Sequence, residues 1–87
     1  MKNYLVTYDL NKTGQDYDRV ISAIKKYPYY SVLKSAWLIR SVGSAASIYE
    51  TLKGTIDTND RLMVVEITSN TNGFLNQGAW DFLNQKI

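Results

Sequence analysis

The sequence predicts an α+β domain in which two helices cover one face of a small antiparallel sheet. Two segments alternate apolar and polar residues with the period of a strand, and two others repeat apolar residues with the period of a helix. The chain has 87 residues, which is the size of one domain. Folded alone, a chain of this size buries only about 60–65% of its unfolded surface, so a partner subunit would add burial.

The first predicted strand, Asn3 to Leu10, carries its one carboxylate, that of Asp9, near its end. Asp9 precedes a polar loop, and open sheets tend to present functional side chains at such a position. An aspartate there also forms Asx turns or caps helices, so the structural interpretation stays open. The apolar face consists of Tyr4, Val6, Tyr8 and Leu10, and the opposite face consists of Leu5, Thr7 and Asp9.

Two amphipathic helices are predicted from apolar residues at helical spacing. The first runs from Gln15 to Tyr27 and ends there, because the residue before Pro28 is disfavoured in a helix. The second begins at Gly43-Ser44, with Ser44 or Ser47 as the expected cap. The predicted buried stripes are Tyr17, Val20, Ile21, Ile24 and Tyr27 in the first helix, and Ala45, Ile48, Tyr49, Leu52 and Ile56 in the second.

The remaining β-rich segments predict three more strands. Residues 29–41 exceed one average strand, so we predict two strands that break near Lys34-Ser35. A final strand runs from Arg61 to Thr68. The resulting order of strands and helices is the ferredoxin-like split βαβ fold over residues 1–68. Residues 69–87 add a loop and a short C-terminal helix, which is expected to pack Trp80 and Leu83.

The second sheet face is expected to stay open and to carry an oligomer interface. We predict that Leu5, Thr7, Leu62 and Val64 lie on it, which makes it too apolar to remain in water. A homodimer or higher oligomer is therefore expected, with Leu5, Leu62 and Val64 at its interface. Asp9 and Glu66 would lie near this interface, with Arg40 or Lys34 to neutralise them.

Composition excludes several kinds of chemistry. The chain has no cysteine and no histidine, so a thiol nucleophile, an imidazole base and the soft ligands of zinc are absent. A bound metal would be a hard cation such as Mg²⁺. The net charge of +2 permits a nucleic-acid partner without requiring one. No signal peptide and no apolar stretch of about 18 residues is evident, so we expect a soluble, cytoplasmic protein with no membrane partner.

A short loop and two tyrosines are candidate contacts for nucleic acid or a nucleotide. The loop Asn11-Lys12-Thr13-Gly14-Gln15 precedes a helix, and backbone N–H groups beside a lysine and hydroxyl suit a phosphate. Tyr29 and Tyr30 follow Pro28 and are candidates for stacking on bases.

Three segments, "YLVTYDLN", "KSAWLIRS" and "DTNDRLMVVEIT", carry a family resemblance. In this order they resemble the SinR-like family of small bacterial and phage proteins. That family belongs to the superfamily of the CRISPR-associated ferredoxin-fold nuclease, the smaller spacer-acquisition protein. The resemblance covers about residues 1–68. Asp9 matches the aspartate that this nuclease family pairs across a homodimer to bind Mg²⁺ for phosphodiester cleavage. Ser35 and Trp37 match its Ser and Phe positions, so the resemblance implies that both contact the ligand.

Two departures from the nuclease family lead us to favour binding over catalysis. The family usually has consecutive arginines at the entry of its first helix, whereas this chain has the acidic segment Gln15-Asp16-Tyr17-Asp18. The family's segment that docks the larger integrase is replaced by a tail containing Trp80.

We therefore expect a homo-oligomeric module that binds nucleic acid or a nucleotide, as a phage or defence-related factor that sequesters its ligand. One alternative is a Mg²⁺-dependent endonuclease or endoribonuclease that uses paired Asp9, with Thr7, Asn11 or Ser35 orienting water or phosphate. A second alternative is a protein-interaction subunit anchored by Trp80 and Phe82.

Overall fold

A computed structural model describes residues 1–10 and 17–86 of the chain. The order of its elements confirms the predicted α+β, ferredoxin-like fold with a short C-terminal helix. The strands are β1 (Lys2–Asp9), β2 (Tyr29–Leu33), β3 (Ala36–Ser41) and β4 (Arg61–Ile67). The helices are α1 (Tyr17–Ile24), α2 (Ala45–Leu52) and α3 (Gln77–Leu83), and a short 3-10 turn at Lys53–Thr55 follows α2.

The four strands form one sheet in the order β2-β3-β1-β4, and every neighbouring pair is antiparallel. The predicted break near Lys34-Ser35 is the turn between β2 and β3. Strands β2 and β4 are the edges, and β1 is central. Because β1 and β2 run in the same direction, the ends of both strands lie at one end of the sheet.

The first face of the sheet carries the main core under α1 and α2. All four residues predicted for the apolar face of β1 are buried there. Two polar atoms in this core are satisfied, since the Tyr4 hydroxyl donates to the Gly43 carbonyl at 2.6 Å and the Trp37 Nε1–H donates to the Tyr8 hydroxyl at 3.3 Å. The buried residues of the cluster are Tyr4, Val6, Tyr8, Leu10, Val20, Ala23, Ile24, Trp37, Ile39, Ile48 and Leu52.

Local sequence explains where the helices begin and end. Ser44 caps α2, because its hydroxyl accepts a hydrogen bond from the Ser47 backbone N–H at 3.1 Å. Helix α1 ends at Ile24, earlier than the predicted Tyr27, and a turn leads to Pro28. Tyr17 and Tyr49 were predicted in the buried stripes but are exposed.

The second face is half covered by α3, so the prediction of a wholly open face was wrong. Ala79 and Phe82 of α3 are buried against Leu38 in a second apolar cluster, whereas the predicted Trp80 and Leu83 are only partly buried. Leu5, Tyr30 and Val32 also pack against this cluster. A seven-residue helix covers the β2–β3 half of the face and leaves much of β4 bare.

Two side chains fasten the end of α3 to the sheet. Arg40 donates to the Phe82 carbonyl at 2.6 Å, and its guanidinium lies 4.3 Å from the centre of the Phe82 ring. Asn3 donates to the Leu83 carbonyl at 2.8 Å. The last carbonyls of a helix have no partner within the helix, so these donors satisfy them and favour this position of α3. Arg40 therefore has a structural role at α3, away from Asp9.

The register of β4 shows that two predicted interface residues were placed on the wrong face of the sheet. Leu62 is opposite Tyr8 and Val64 is opposite Val6, so both lie on the first face and pack against the main core. Glu66 is opposite Tyr4 on the same face and lies 3.6 Å from the Lys2 ammonium. Met63, Val65 and Ile67 lie on the second face.

Within residues 1–10 and 17–86, no helix has the length and apolar character that a membrane span requires.

A candidate ligand-binding patch at the end of the sheet

The uncovered part of the second face forms an exposed patch along β1 and β4. Cross-strand pairing places Thr7 opposite Met63 and Asp9 opposite Arg61. Met63 is 58% exposed and Val65 is 41% exposed. We call these five residues (Thr7, Asp9, Arg61, Met63 and Val65) the β1–β4 patch. It combines an apolar surface with charged groups at one end.

Asp9 and Arg61 form the charged end of the patch. Directly opposed residues in an antiparallel pair have neighbouring side chains on the same face. Arg61 is held by a 3.0 Å hydrogen bond from Nη1 to the Asp60 carbonyl, which leaves other guanidinium donors for a ligand. The two residues flank a hollow of about 300 Å³ that Thr7 and Met63 also line. This hollow is at the small end of the range for ligand pockets.

Hydroxyl groups and a second cation lie at the same end of the sheet. The Thr7 hydroxyl donates to the Ser35 carbonyl at 3.1 Å, and the Tyr8 backbone N–H bonds the same carbonyl at 3.2 Å. These bonds tie the β2–β3 turn to the end of β1. Lys34 and Ser35 form that turn, and Lys34 is exposed. The structure therefore brings together Thr7, Asp9 and Ser35, three of the predicted site residues.

An apolar groove of about 460 Å³ adjoins the patch. It lies between the loop after β4 and the sheet, and Leu33, Leu5 and Val65 are among its lining residues. Leu33 is 60% exposed. Of the three predicted interface residues, only Leu5 is on this face. Exposed aliphatic side chains on both sides of β1 thus form one continuous apolar surface with the β1–β4 patch.

Asp9 has few acidic neighbours among the described residues. No group of three or more acidic side chains that could hold a metal ion occurs within residues 1–10 and 17–86. Asp9 is an exposed single carboxylate at the patch. A hard cation such as Mg²⁺ needs about six oxygen ligands, so Asp9 would require waters, a phosphate ligand or a second copy to complete the shell.

The predicted aromatic contacts lie away from the patch. Trp37 is 7% exposed and belongs to the main core, with its ring centre 5.8 Å from that of Tyr29. Tyr29 is exposed but begins β2, at the end of the sheet opposite Asp9, and Lys25 lies 5.6 Å above its ring. Tyr30 packs against Phe82 with a centroid distance of 6.4 Å. The predicted phosphate-binding residues Asn11, Lys12, Thr13 and Gln15 lie outside the described residues.

Arg61 is the site residue that sequence reasoning missed. It was predicted only as the first residue of a strand. An antiparallel strand that starts where β1 ends must place its first residues beside Asp9. This relation was the signal in the sequence that could have identified Arg61. Using that signal required the register of β4, which the sequence did not provide.

Comparisons with known proteins bear on the fold. No protein-family model and no curated protein matches the chain. Among solved structures, the crystal structure of a hypothetical protein TT1823 from Thermus thermophilus matches with a TM-score of 0.65 and 15% sequence identity. The match covers 86% of this chain and 94% of that chain. At this identity the likeness concerns the fold alone, and the two chains share it over almost their whole lengths.

Proposed function

We propose that this protein binds nucleic acid or a nucleotide as an assembly of at least two copies. The observation that supports this most directly is the cross-strand pairing of Asp9 with Arg61 on the part of the second face that α3 leaves uncovered. Arg61 supplies a planar set of donors suited to phosphate. Lys34 adds a second exposed cation at the same end of the sheet.

The second copy packs on the β1–β4 patch in this proposal. Met63, Val65 and Leu33 each leave two fifths or more of their surface in water on one face of a small sheet. A standard interface buries about 800 Å² of each partner around an apolar centre. A twofold interface uses the same surface of both copies, so the apolar side chains meet one another and both charged ends lie at the rim. The ligand would then contact Arg61 and Lys34 from both copies.

Arg61→Ala tests the ligand class. The variant should weaken binding of a phosphate-containing ligand by about 10-fold or more, because a hydrogen bond to a charged group contributes about 1.5–3 kcal/mol. Binding is measured by fluorescence anisotropy with labelled single-stranded RNA, single-stranded DNA, duplex DNA and a cyclic dinucleotide. For the wild type, affinity should fall as salt concentration rises, since phosphate contacts release counterions.

Arg19→Ala is the matched control for this experiment. Arg19 is also exposed and also donates to a backbone carbonyl, that of Gly54 at 2.9 Å, but it lies on α1 away from the patch. Its loss should leave affinity unchanged. Equal binding by Arg61→Ala and wild type, or an affinity that does not depend on salt, would exclude phosphate recognition by the patch.

A second candidate function is Mg²⁺-dependent cleavage of a phosphodiester. The specific observation in its favour is the exposed carboxylate of Asp9 in the hollow of the β1–β4 patch. If two copies stack through this patch, two Asp9 carboxylates approach each other and, with water and a substrate phosphate, complete the shell of one Mg²⁺. A water bound to that cation would be the nucleophile, because the chain has no histidine or cysteine.

Asp9→Asn separates the two candidates. The amide keeps the shape of the side chain and removes its charge. Cleavage should disappear while folding persists if Asp9 holds the cation. In a binding module, the amide removes a negative charge beside the site of an anionic ligand, so the variant should bind that ligand no worse than wild type. RNA and DNA substrates are incubated with Mg²⁺ or with chelator. Cleavage that is abolished by chelator but retained in Asp9→Asn would place the chemistry elsewhere.

A further inference from the structure

A second hollow of about 440 Å³ lies at the other end of the sheet, between the end of β4 and α3. Ile67 and Leu83 supply apolar side chains to its lining, and Trp80 supplies an indole ring. Trp80 is only partly buried in a helix whose other large aromatic residue, Phe82, is 2% exposed. The volume is within the range of about 300–1,000 Å³ typical of small-molecule sites.

The polar groups that the described residues bring to this hollow are uncharged. Ser69 and Asn84 are among the lining residues, and no charged side chain is among the described ones. Asn3 also lines the hollow, but its amide already donates to the Leu83 carbonyl at 2.8 Å. Within residues 1–10 and 17–86, the side chains of Ser69, Asn84 and Trp80 make no hydrogen bond. Residues with a hydroxyl, an amide and an indole N–H group thus line the same space.

We propose that this hollow binds a planar, uncharged heteroaromatic ring of the nucleobase class. A nucleobase has apolar faces and a polar edge, which matches an apolar lining of Ile67, Leu83 and Trp80 with hydrogen-bonding groups around it. Stacking of a base on an aromatic side chain is a general source of affinity that every base can use. A sugar is a poorer match, because it carries hydroxyl groups around its ring and would lose their hydration against Ile67 and Leu83.

The site is separate from the β1–β4 patch. Asn3 is near the start of β1 and Asp9 is at its end, so about 20 Å of extended strand separates the two regions. None of the described residues that line the hollow is a cation that could hold a phosphate, whereas Arg61 lines the patch. Base recognition at Trp80 therefore does not depend on the function proposed for the patch.

The test uses the two tryptophans as separate reporters. The chain has only Trp37 and Trp80, so a proton–nitrogen NMR spectrum contains two indole signals. Adenosine, guanosine, cytidine and uridine are titrated into the full-length protein, with glucose as an uncharged non-aromatic control. At least one nucleoside should shift the Trp80 signal in a saturable way. The signal of Trp37, which is buried in the main core on the first face, should stay in place.

Asn84→Ala should weaken nucleoside binding about 5-fold or more, because it removes both a donor and an acceptor from the hollow. Asn76→Ala is the matched control: Asn76 is an exposed asparagine at the other end of α3 whose side chain makes no capping hydrogen bond. The proposal is overturned if no nucleoside shifts the Trp80 signal up to about 10 mM, well above a millimolar dissociation constant. It is also overturned if glucose binds as tightly as a nucleoside does, or if Asn84→Ala binds nucleosides with the wild-type affinity.

Discussion

Val64→Lys should unfold the protein, whereas Val65→Lys should leave it folded and separate its copies. Val64 is opposite Val6 and is partly buried against the main core, so a lysine there would bring an unpaired charge against apolar side chains at a cost of several kcal/mol. A domain of this size is stable by only about 5–15 kcal/mol, so much of the folded population would be lost. Val65 points to the other face and is 41% exposed, so the lysine reaches water in the single copy.

Circular dichroism and light scattering after gel filtration distinguish these outcomes. The wild type should have a mass above the single-chain 9.9 kDa at micromolar concentration. Val65→Lys should keep the wild-type spectrum and elute at the single-chain mass. A wild-type mass equal to that of one chain would contradict the proposed assembly. If the assembly persists in Val65→Lys, its interface lies outside the β1–β4 patch.

Phe82→Ala should reduce the free energy of unfolding by about 3–5 kcal/mol, the usual cost of removing a buried phenylalanine. Phe82 is 2% exposed and belongs to the second cluster, where its ring lies near Tyr30 and Arg40. The cavity left by the ring would loosen α3 from the sheet. Urea unfolding, followed by tryptophan fluorescence, measures the change because Trp80 is in the same helix.

Phe74→Ala is the control for this measurement, because it removes the same ring from a side chain that is fully exposed. Its effect should stay within about 0.5 kcal/mol, as for other surface changes away from packed features. If both substitutions have equal effects, α3 does not contribute a packed second core. A Phe82→Ala protein that resists urea as well as wild type would lead to the same conclusion.

The candidate site was predicted from the sequence only in part. Asp9 could be placed at a strand end and Thr7 on its face, because β1 has one wholly apolar face and alternation then fixes the other. Ser35 was taken from a family resemblance, and the structure joins its carbonyl to the Thr7 hydroxyl. The aromatic contacts could not be placed correctly, because a tyrosine or tryptophan in a β-rich segment suits a core as well as a surface.

Sequence patterns were sufficient to predict the order of strands and helices, the turn at Lys34-Ser35, the Ser44 cap and the core face of β1. Each depends on local chemistry or on a clear alternation of apolar and polar residues. The buried face of β4 depends on how the strand packs in the folded sheet, because Leu62 and Val64 are as apolar as Met63 and Val65 and a strand's two faces exchange with a shift of one residue. The tertiary structure also decided that α3 covers half of the second face, since the burial of Ala79 and Phe82 depends on a sheet surface formed by distant segments. Local patterns specify what one segment prefers, and they cannot specify which of two equally apolar surfaces another segment will meet.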